Sequence, residues 1–188
     1  MGILRRIKQK VPDDKLIIIA DAIFNSILRY GIAVYLVPTY DKEDLKARKL
    51  SSETYDLQVL QNKMLRLVHG LKISNRVNML ELRTKIKMMS VNQMAIYHTI
   101  MEVFNIIHNK SSEQISNKYS HHGRHSLRKN TNNFIRVPEL HEHRNCTGFT
   151  YCGAKIFNSL PIKTRETQDR NIFKTLVKEW IWDEVPSY

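Results

Sequence analysis

The chain has 188 residues, of which 30 are Lys or Arg and 18 are Asp or Glu, so its formal charge at pH 7 is +12. The length allows one domain, with or without an appendage, and the positive charge indicates an anionic partner, nucleic acid first and an anionic membrane surface second. Two cysteines, Cys146 and Cys152, are too few for a secreted disulfide framework, and their spacing is not that of C-x-x-C motifs.

The first eleven residues predict a basic tail. They contain no apolar run followed by a small-residue cleavage site, and Arg6 stands where a myristoylation motif has Ser or Thr. Asp21, Asn25 and Arg29 interrupt the next apolar stretch, at a cost that argues against a membrane span. We therefore expect an intracellular protein, in the nucleus or cytoplasm, without a membrane partner.

The first long helix is predicted to begin where Pro12 precedes Asp13 and Asp14, because carboxylates accept hydrogen bonds from the N–H groups of a first turn. Gly31 either ends this helix or marks a close-packing point, in which case the helix continues towards Pro38. Apolar residues at steps of three and four predict its buried stripe. The stripe consists of Leu16, Ile19, Ala20, Ile23, Phe24, Ile27 and Leu28.

A second helix is predicted after a charged connector. Ser51 or Ser52 caps its start, and Gly70 stands where a left-handed residue commonly ends a helix. Its predicted apolar face consists of Leu57, Leu60, Met64, Leu67 and Val68.

Two further helices follow. Asn75 is predicted to cap a short one that ends near Arg83 and turns Met79, Leu80 and Leu82 inward, and a longer one extends from about 86 to 108. The buried side of the longer helix is predicted from its apolar spacing. It consists of Met89, Gln93, Ile96, Tyr97, Ile100, Met101, Phe104 and Ile107.

The last third of the chain changes in composition. Asn, Ser, His, Lys and Arg dominate from 110 to 145, which predicts a long loop with one short strand at 134–137. Apolar density returns at 151–160, and Asp169 or Asn171 starts a last helix that ends near Trp182. Its inward residues are predicted to be Phe173, Leu176, Val177 and Trp180.

These elements predict a mainly α protein, a helical bundle followed by a long basic loop and a C-terminal helix. The predicted divisions are a basic tail at 1–11, the helical domain at 12–109, the polar basic loop at 110–150, and the C-terminal block with its helix at 151–188.

The chain shows no recognisable catalytic centre. Asp13 and Asp14 follow Pro12 and precede a helix, whereas the paired aspartates of a two-metal polymerase site lie on a turn between strands. The histidines and cysteines of the loop region match no standard zinc finger, so we interpret them as solvent-facing, with structural zinc as the alternative. They are His121, His122, His125, His141, His143, Cys146 and Cys152. We predict no catalytic residue, no metal and no cofactor.

Basic residues near polar amides form the candidate nucleic-acid surface. Lys63 and Arg66 lie three residues apart on the second helix, on a face that also presents Gln58 or Asn62. Lysine supplies a point charge and arginine a bidentate fork, and both suit phosphate oxygens. Further cations follow, with a merely solvated basic surface as the alternative interpretation. They are Lys72, Arg76, Lys118, Arg124, Arg128, Lys129, Arg136 and Arg144.

Several short motifs occur in a fixed order. A Tyr30-Gly31 pair ends the first helix, Leu-x-x-Leu-Gln-Asn-x-x-Leu-Arg spans 57–66, and Gly70 follows. After the basic stretch come aromatic-x-Gly-Ala-x-x-aromatic-Asn-Ser-Leu-Pro at 151–161 and then Phe173-Lys174. In this order they resemble the C-terminal part of non-LTR (LINE-type) retrotransposon reverse transcriptases of the jockey and CR1 kind.

The resemblance implies the thumb and connector that lie downstream of a polymerase palm and help to hold the template-primer duplex. It implies a fragment with no polymerase activity of its own, whose partners are an RNA/DNA hybrid or duplex and the palm of the parent enzyme. Gln61, Asn62 and Arg66 then correspond to duplex-facing positions, and Asn158 and Pro161 shape a turn that docks the last helix. The alternative is a host-retained module that binds a protein partner through exposed apolar helix faces.

Overall fold

A computed structural model describes residues 2–36, 38, 50–72, 76–108, 134, 135, 137 and 149–186. Over these residues the protein is a helical bundle, which confirms the predicted mainly α fold. The strand predicted at 134–137 is wrong, because only an isolated bridge position occurs there, at Ile135.

The N-terminal segment is a helix and not a tail. Helix α1 (Gly2–Lys8) buries Leu4 to 4% exposure and packs against α2 (Asp13–Ala20). Leu4, Ile7 and Val11 recur at helical spacing, and Ile7 and Val11 pack against the same core cluster as Leu4. The predicted boundary at residue 11 therefore separates α1 from the bundle to which this helix belongs.

A π-helical turn (Asp21–Asn25) continues α2 into the short α3 (Ser26–Arg29). Its wider i→i+5 repeat moves the buried face on by one residue, so Leu16 and Ala20 are followed inward by Asn25. Ile23 and Ile27 were predicted to be buried on regular α-helical spacing, and this is wrong: they are 40% and 70% exposed.

We call α2, the π-helical turn and α3 the first segment, and its two ends are only partly as predicted. No side chain caps α2, so the predicted capping by aspartate is wrong, although Asp13 and Asp14 do occupy the first turn, where the helix dipole favours negative charge. Gly31 ends the segment with φ of 84°, and a Cβ there would lie 2.7 Å from the Tyr35 ring. Helix α4 (Ile32–Tyr35) follows.

Helix α5 (Ser52–Val68) begins at Ser51, whose hydroxyl accepts from the Thr54 N–H, as predicted. Its buried face holds Met64 and Val68 but also the polar Gln58 and Gln61, and its predicted core residue Leu60 is 41% exposed. The apolar face was therefore only partly predicted, because the polar residues on the inward side break the simple pattern.

Helix α6 (Met79–Lys85) is capped by Asn78, while the predicted cap Asn75 lies outside the described residues. Leu80, predicted to point inward, is 45% exposed. Helix α7 (Val91–Ile107) begins five residues later than predicted, because Ser90 and Gln93 form a reciprocal capping box at its start.

The C-terminal block consists of α8 (Phe149–Asn158), α9 (Ile162–Arg165) and α10 (Arg170–Glu184), which Asp169 caps as predicted. Helix α7 contacts α8 and α10 around the largest core cluster, where the Phe104 and Phe173 rings stack 4.2 Å apart. A second cluster joins α1, α2 and α5. Helix α7 also contacts α4 and α5, and so it connects the two halves of the described chain.

Candidate nucleic-acid interface

Gln61 is at the centre of a buried polar network. Its side chain is fully buried, and its amide nitrogen donates to Asn25 Oδ1 at 3.4 Å and to the Met89 carbonyl at 3.0 Å. Its amide oxygen accepts from Gln58 Nε2 at 2.8 Å. The prediction that Gln61 faces a duplex is therefore wrong, because every polar atom of its side chain is used inside the protein.

Asn62 extends this network towards α6. Its Oδ1 accepts from Gln58 Nε2 at 3.1 Å and from Arg83 Nη1 at 2.7 Å. Arg83 is completely buried, and burial lowers the pKa of its guanidinium to about 10, so the group is still charged at neutral pH. The Asn62 oxygen thus solvates a buried cation, which gives this residue a structural role.

The network joins α5 to the start of α7. Gln58 Oε1 accepts from the Val91 N–H at 2.9 Å, while its Nε2 serves both Gln61 and Asn62. Gln58, Gln61 and Asn62 therefore bridge the first segment, α6 and the α7 start. The Gln and Asn of the Leu-x-x-Leu-Gln-Asn motif therefore hold helices together in this fold.

The cations beyond Asn62 are placed differently. Lys63, Lys72 and Arg76 are exposed, and Arg66 is half-buried with its Nη1 donating to the Lys72 carbonyl at 3.1 Å. Lys63 and Arg66 lie in the C-terminal half of α5, and Lys72 and Arg76 follow the end of this helix in the sequence. Arg124, Arg128, Lys129 and Arg136 lie outside the described residues.

Helix α1 contributes further cations next to the end of α5, although the sequence had predicted only a basic tail here. Lys8 Nζ donates to the Leu67 carbonyl at the end of α5, where the helix dipole is negative, and it lies 3.1 Å from a Cβ built on Gly70. Segments 1–10 and 57–78 contain no Asp or Glu. We call their cations the basic surface: Arg5, Arg6, Lys8, Lys10, Lys63, Arg66, Lys72 and Arg76.

A groove of about 690 Å³ lies elsewhere on the bundle. Three parts of the chain form it: α2 with its π-helical turn and α3, the connection from α6 to α7 with the first turns of α7, and the end of α10. Asp21 and Arg29 form an ion pair of 3.1 Å along one wall. The opposite walls carry Tyr97, His98 and Trp182.

His98 should make the stability of the protein depend on pH. Burial, and secondly the charge of Arg29, lower the pKa of its imidazole below the ordinary 6.5. The unfolded chain therefore takes up this proton at a higher pH than the folded chain, and stability is lost as the pH falls through the ordinary value. The other charged groups of the groove are Asp21, Lys87 and Lys178.

We expect His98→Gln to flatten the decline of unfolding free energy between about pH 7.5 and 5.5 relative to wild type. Urea denaturation of both proteins across this range measures the effect. Parallel curves for wild type and His98→Gln would contradict the assignment.

The C-terminal block binds the short stretch that contains Phe134 and Ile135. Asn158 Nδ2 donates to the Ile135 carbonyl at 2.8 Å, and its Oδ1 accepts from the Ile135 N–H at 2.9 Å. Arg165 contacts the neighbouring residue of the same piece of chain. Its Nε donates to the Leu160 carbonyl, and its guanidinium lies 4.0 Å from the Phe134 ring centroid. Pro161 precedes α9 as its N-cap residue, which agrees with its predicted place at a turn. Asn158 instead anchors residue 135.

Within the described residues, no group of three His, Cys, Asp or Glu side chains is arranged to hold a metal ion. Of the predicted histidine and cysteine set only Cys152 is described, and the other members lie outside that part of the chain. No helix among those described has the length and apolar character needed to cross a membrane. Comparisons with protein-family models, with curated proteins and with solved structures found no match to this chain.

Proposed function

We propose that this chain is the thumb and connector of a LINE-type reverse transcriptase and that its basic surface binds the backbone of an RNA/DNA hybrid or duplex. It has no polymerase activity alone. The observation that carries the proposal is the junction of α1 with the end of α5, where Lys8 reaches the Leu67 carbonyl. Two segments without a single carboxylate residue meet there and combine their cations.

Such a surface suits phosphates better than bases. The amides that would read base edges, Gln61 and Asn62, use their acceptor atoms inside the protein, while Lys63, Lys72 and Arg76 are exposed. Contacts of lysine and arginine with phosphates position a duplex without reading its sequence. We therefore expect binding that is independent of sequence and strongly dependent on salt.

The double variant Lys63→Ala/Arg66→Ala tests this proposal. We expect weaker binding to every hybrid sequence alike, and a plot of log affinity against log salt whose slope is smaller by nearly one unit for each lost phosphate contact. Fluorescence anisotropy with a labelled RNA/DNA hybrid at several salt concentrations measures both quantities.

The matched control is Lys163→Ala/Arg170→Ala, which removes the same charge from exposed positions on α9 and α10. Its affinity and slope should stay close to wild type. If the two double variants bind alike, or if wild-type affinity does not change with salt, the basic surface is not a duplex-binding site.

A second candidate function, binding of a protein partner, is supported by a different face. Between 18 and 30 the chain exposes Ile18, Ile27 and Tyr30 by 68%, 70% and 88%, respectively. In a LINE-type enzyme the occupant of this face would be the palm of the parent polymerase. A monomer that binds no hybrid in the assay above, yet forms a complex with a separately expressed palm, would favour this function.

A further inference from the structure

We propose that the groove between the π-helical turn, the α6–α7 connection and the end of α10 binds a nucleoside phosphate. The base lies against Tyr97 and Trp182, and the phosphate is held by Lys87 and Lys178. The ligand is either a free nucleotide or an unpaired nucleotide of a single strand, since both present the same base and phosphate. This site is distinct from the basic surface and does not depend on it.

The size and lining of the groove fit one such unit. Its volume of about 690 Å³ falls within the roughly 300–1,000 Å³ typical of small-ligand pockets. Ile17, Met88 and Met94 supply an apolar lining, and two half-buried aromatic rings supply stacking surfaces. Stacking on aromatic rings binds any base, because every base has a π face.

The charge of the groove suits a phosphate group. Asp21 is paired with Arg29, so the two lysines provide the positive charge that remains. Lys178 Nζ lies over the Tyr97 ring, 5.9 Å from its centroid, which places a cation and an aromatic ring together in the groove. An aromatic ring next to an ammonium group is the combination that a base joined to a phosphate requires.

Lys87 provides an independent observation. It has φ of 53°, and the backbone bonds Lys87 N–H to the Thr84 carbonyl and Met88 N–H to the Arg83 carbonyl define a Schellman motif at the end of α6. The same motif ends α5, where Gly70 occupies the left-handed position. Lysine at this position is conformationally unfavourable compared with glycine, and Lys87 is one of the residues that line the groove.

Titration of the full chain with adenosine 5′-monophosphate, followed by tryptophan fluorescence, tests the proposal. We expect saturable quenching that is lost in Trp182→Phe, and affinity about tenfold weaker in Lys87→Gly and in Lys178→Ala. Lys174→Ala, one turn earlier on α10 and outside the groove, is the matched control and should bind like wild type.

Lys87→Gly has a second expected result that a merely structural role would not give. Its urea midpoint should rise while its nucleotide affinity falls, because glycine relieves the left-handed conformation as it removes the cation. Unchanged affinity in both Lys87→Gly and Lys178→Ala would overturn the proposal.

The choice of probe identifies the ligand. Adenosine alone and inorganic phosphate alone should each bind at least tenfold more weakly than the nucleotide, and equal binding of either one would overturn the two-part site. Tighter binding of a short oligothymidylate would assign the site to a single strand, and weaker binding would assign it to a free nucleotide. Binding of phosphatidylglycerol vesicles without binding of the nucleotide would overturn the proposal in favour of a lipid.

The two sites can be separated in one experiment. Lys63→Ala/Arg66→Ala should keep nucleotide affinity while losing affinity for the hybrid, and Lys178→Ala should do the reverse. If the basic surface fails its own test, the nucleotide titration still decides the assignment of the groove.

Discussion

Gln61→Ala should destabilise the protein by about 3 kcal/mol or more, although the motif resemblance implies that Gln61 faces nucleic acid. The substitution leaves a cavity at a fully buried position and removes the partner of Gln58 Nε2 and of the Met89 carbonyl. Urea unfolding followed by circular dichroism measures the loss.

Leu60→Ala, at the preceding position of α5, is the control. Leu60 is 41% exposed, so we expect a change of about 1 kcal/mol or less. At a temperature where Gln61→Ala is fully folded, its affinity for an RNA/DNA hybrid should equal that of wild type. A variant with normal stability and lost hybrid binding would restore the interpretation of Gln61 as a duplex contact.

Asn158→Ala should cost about 2 to 4 kcal/mol, because it leaves both backbone polar groups of the fully buried Ile135 without their side-chain partner. The measurement is urea unfolding together with hydrogen exchange of the Ile135 amide, which should become faster than in wild type.

Two variants sharpen this second prediction. Asn158→Asp keeps the acceptor for the Ile135 N–H but loses the donor to its carbonyl, so faster unfolding with a still-protected amide is expected. Asn171→Ala removes an exposed amide from α10 and should leave stability close to wild type. Unchanged protection of the Ile135 amide in Asn158→Ala would show that the pair of hydrogen bonds does not anchor this residue.

Three of the helix ends were predictable because their signals are local. Ser51, Gly70 and Asp169 each act within five residues of themselves, and the structure places each at its predicted helix end. A single sequence is enough to identify such residues, since no distant part of the chain takes part in the interaction.

The buried network was not predictable in the same way. The partners of Gln61 include Asn25, 36 residues away, and Met89, 28 residues away, so its burial depends on how three helices meet. A glutamine on a helix looks solvent-exposed until those partners are known. The motif resemblance implies a surface position for Gln61, and this is wrong because the side chain is fully buried.

The candidate sites, too, were only partly predictable from the sequence. The cations from Lys63 to Arg76 were identified from the sequence, whereas α1 was missed because its basic residues concealed the apolar spacing of Leu4, Ile7 and Val11. The groove had no sequence signal at all. Its walls come from elements far apart in the chain, and nothing in the sequence around Lys87 indicates a left-handed conformation.

The π-helical turn lets the first segment hold one extra residue without changing which side chains lie inward. A π turn holds one residue more than the α-helical turn it replaces, so loss of the exposed Ala22 would leave an ordinary helix. Ala20 and Asn25 would then be four residues apart instead of five, which is the spacing of one face of an α-helix. Asn25 would therefore keep its place in the Gln61 network, and Arg29, seven residues from Asp21 instead of eight, would stay on the same side of the segment. A deletion at this turn should thus be tolerated, whereas a deletion within α2 would rotate the parts of the segment before and after it by about 100° relative to each other.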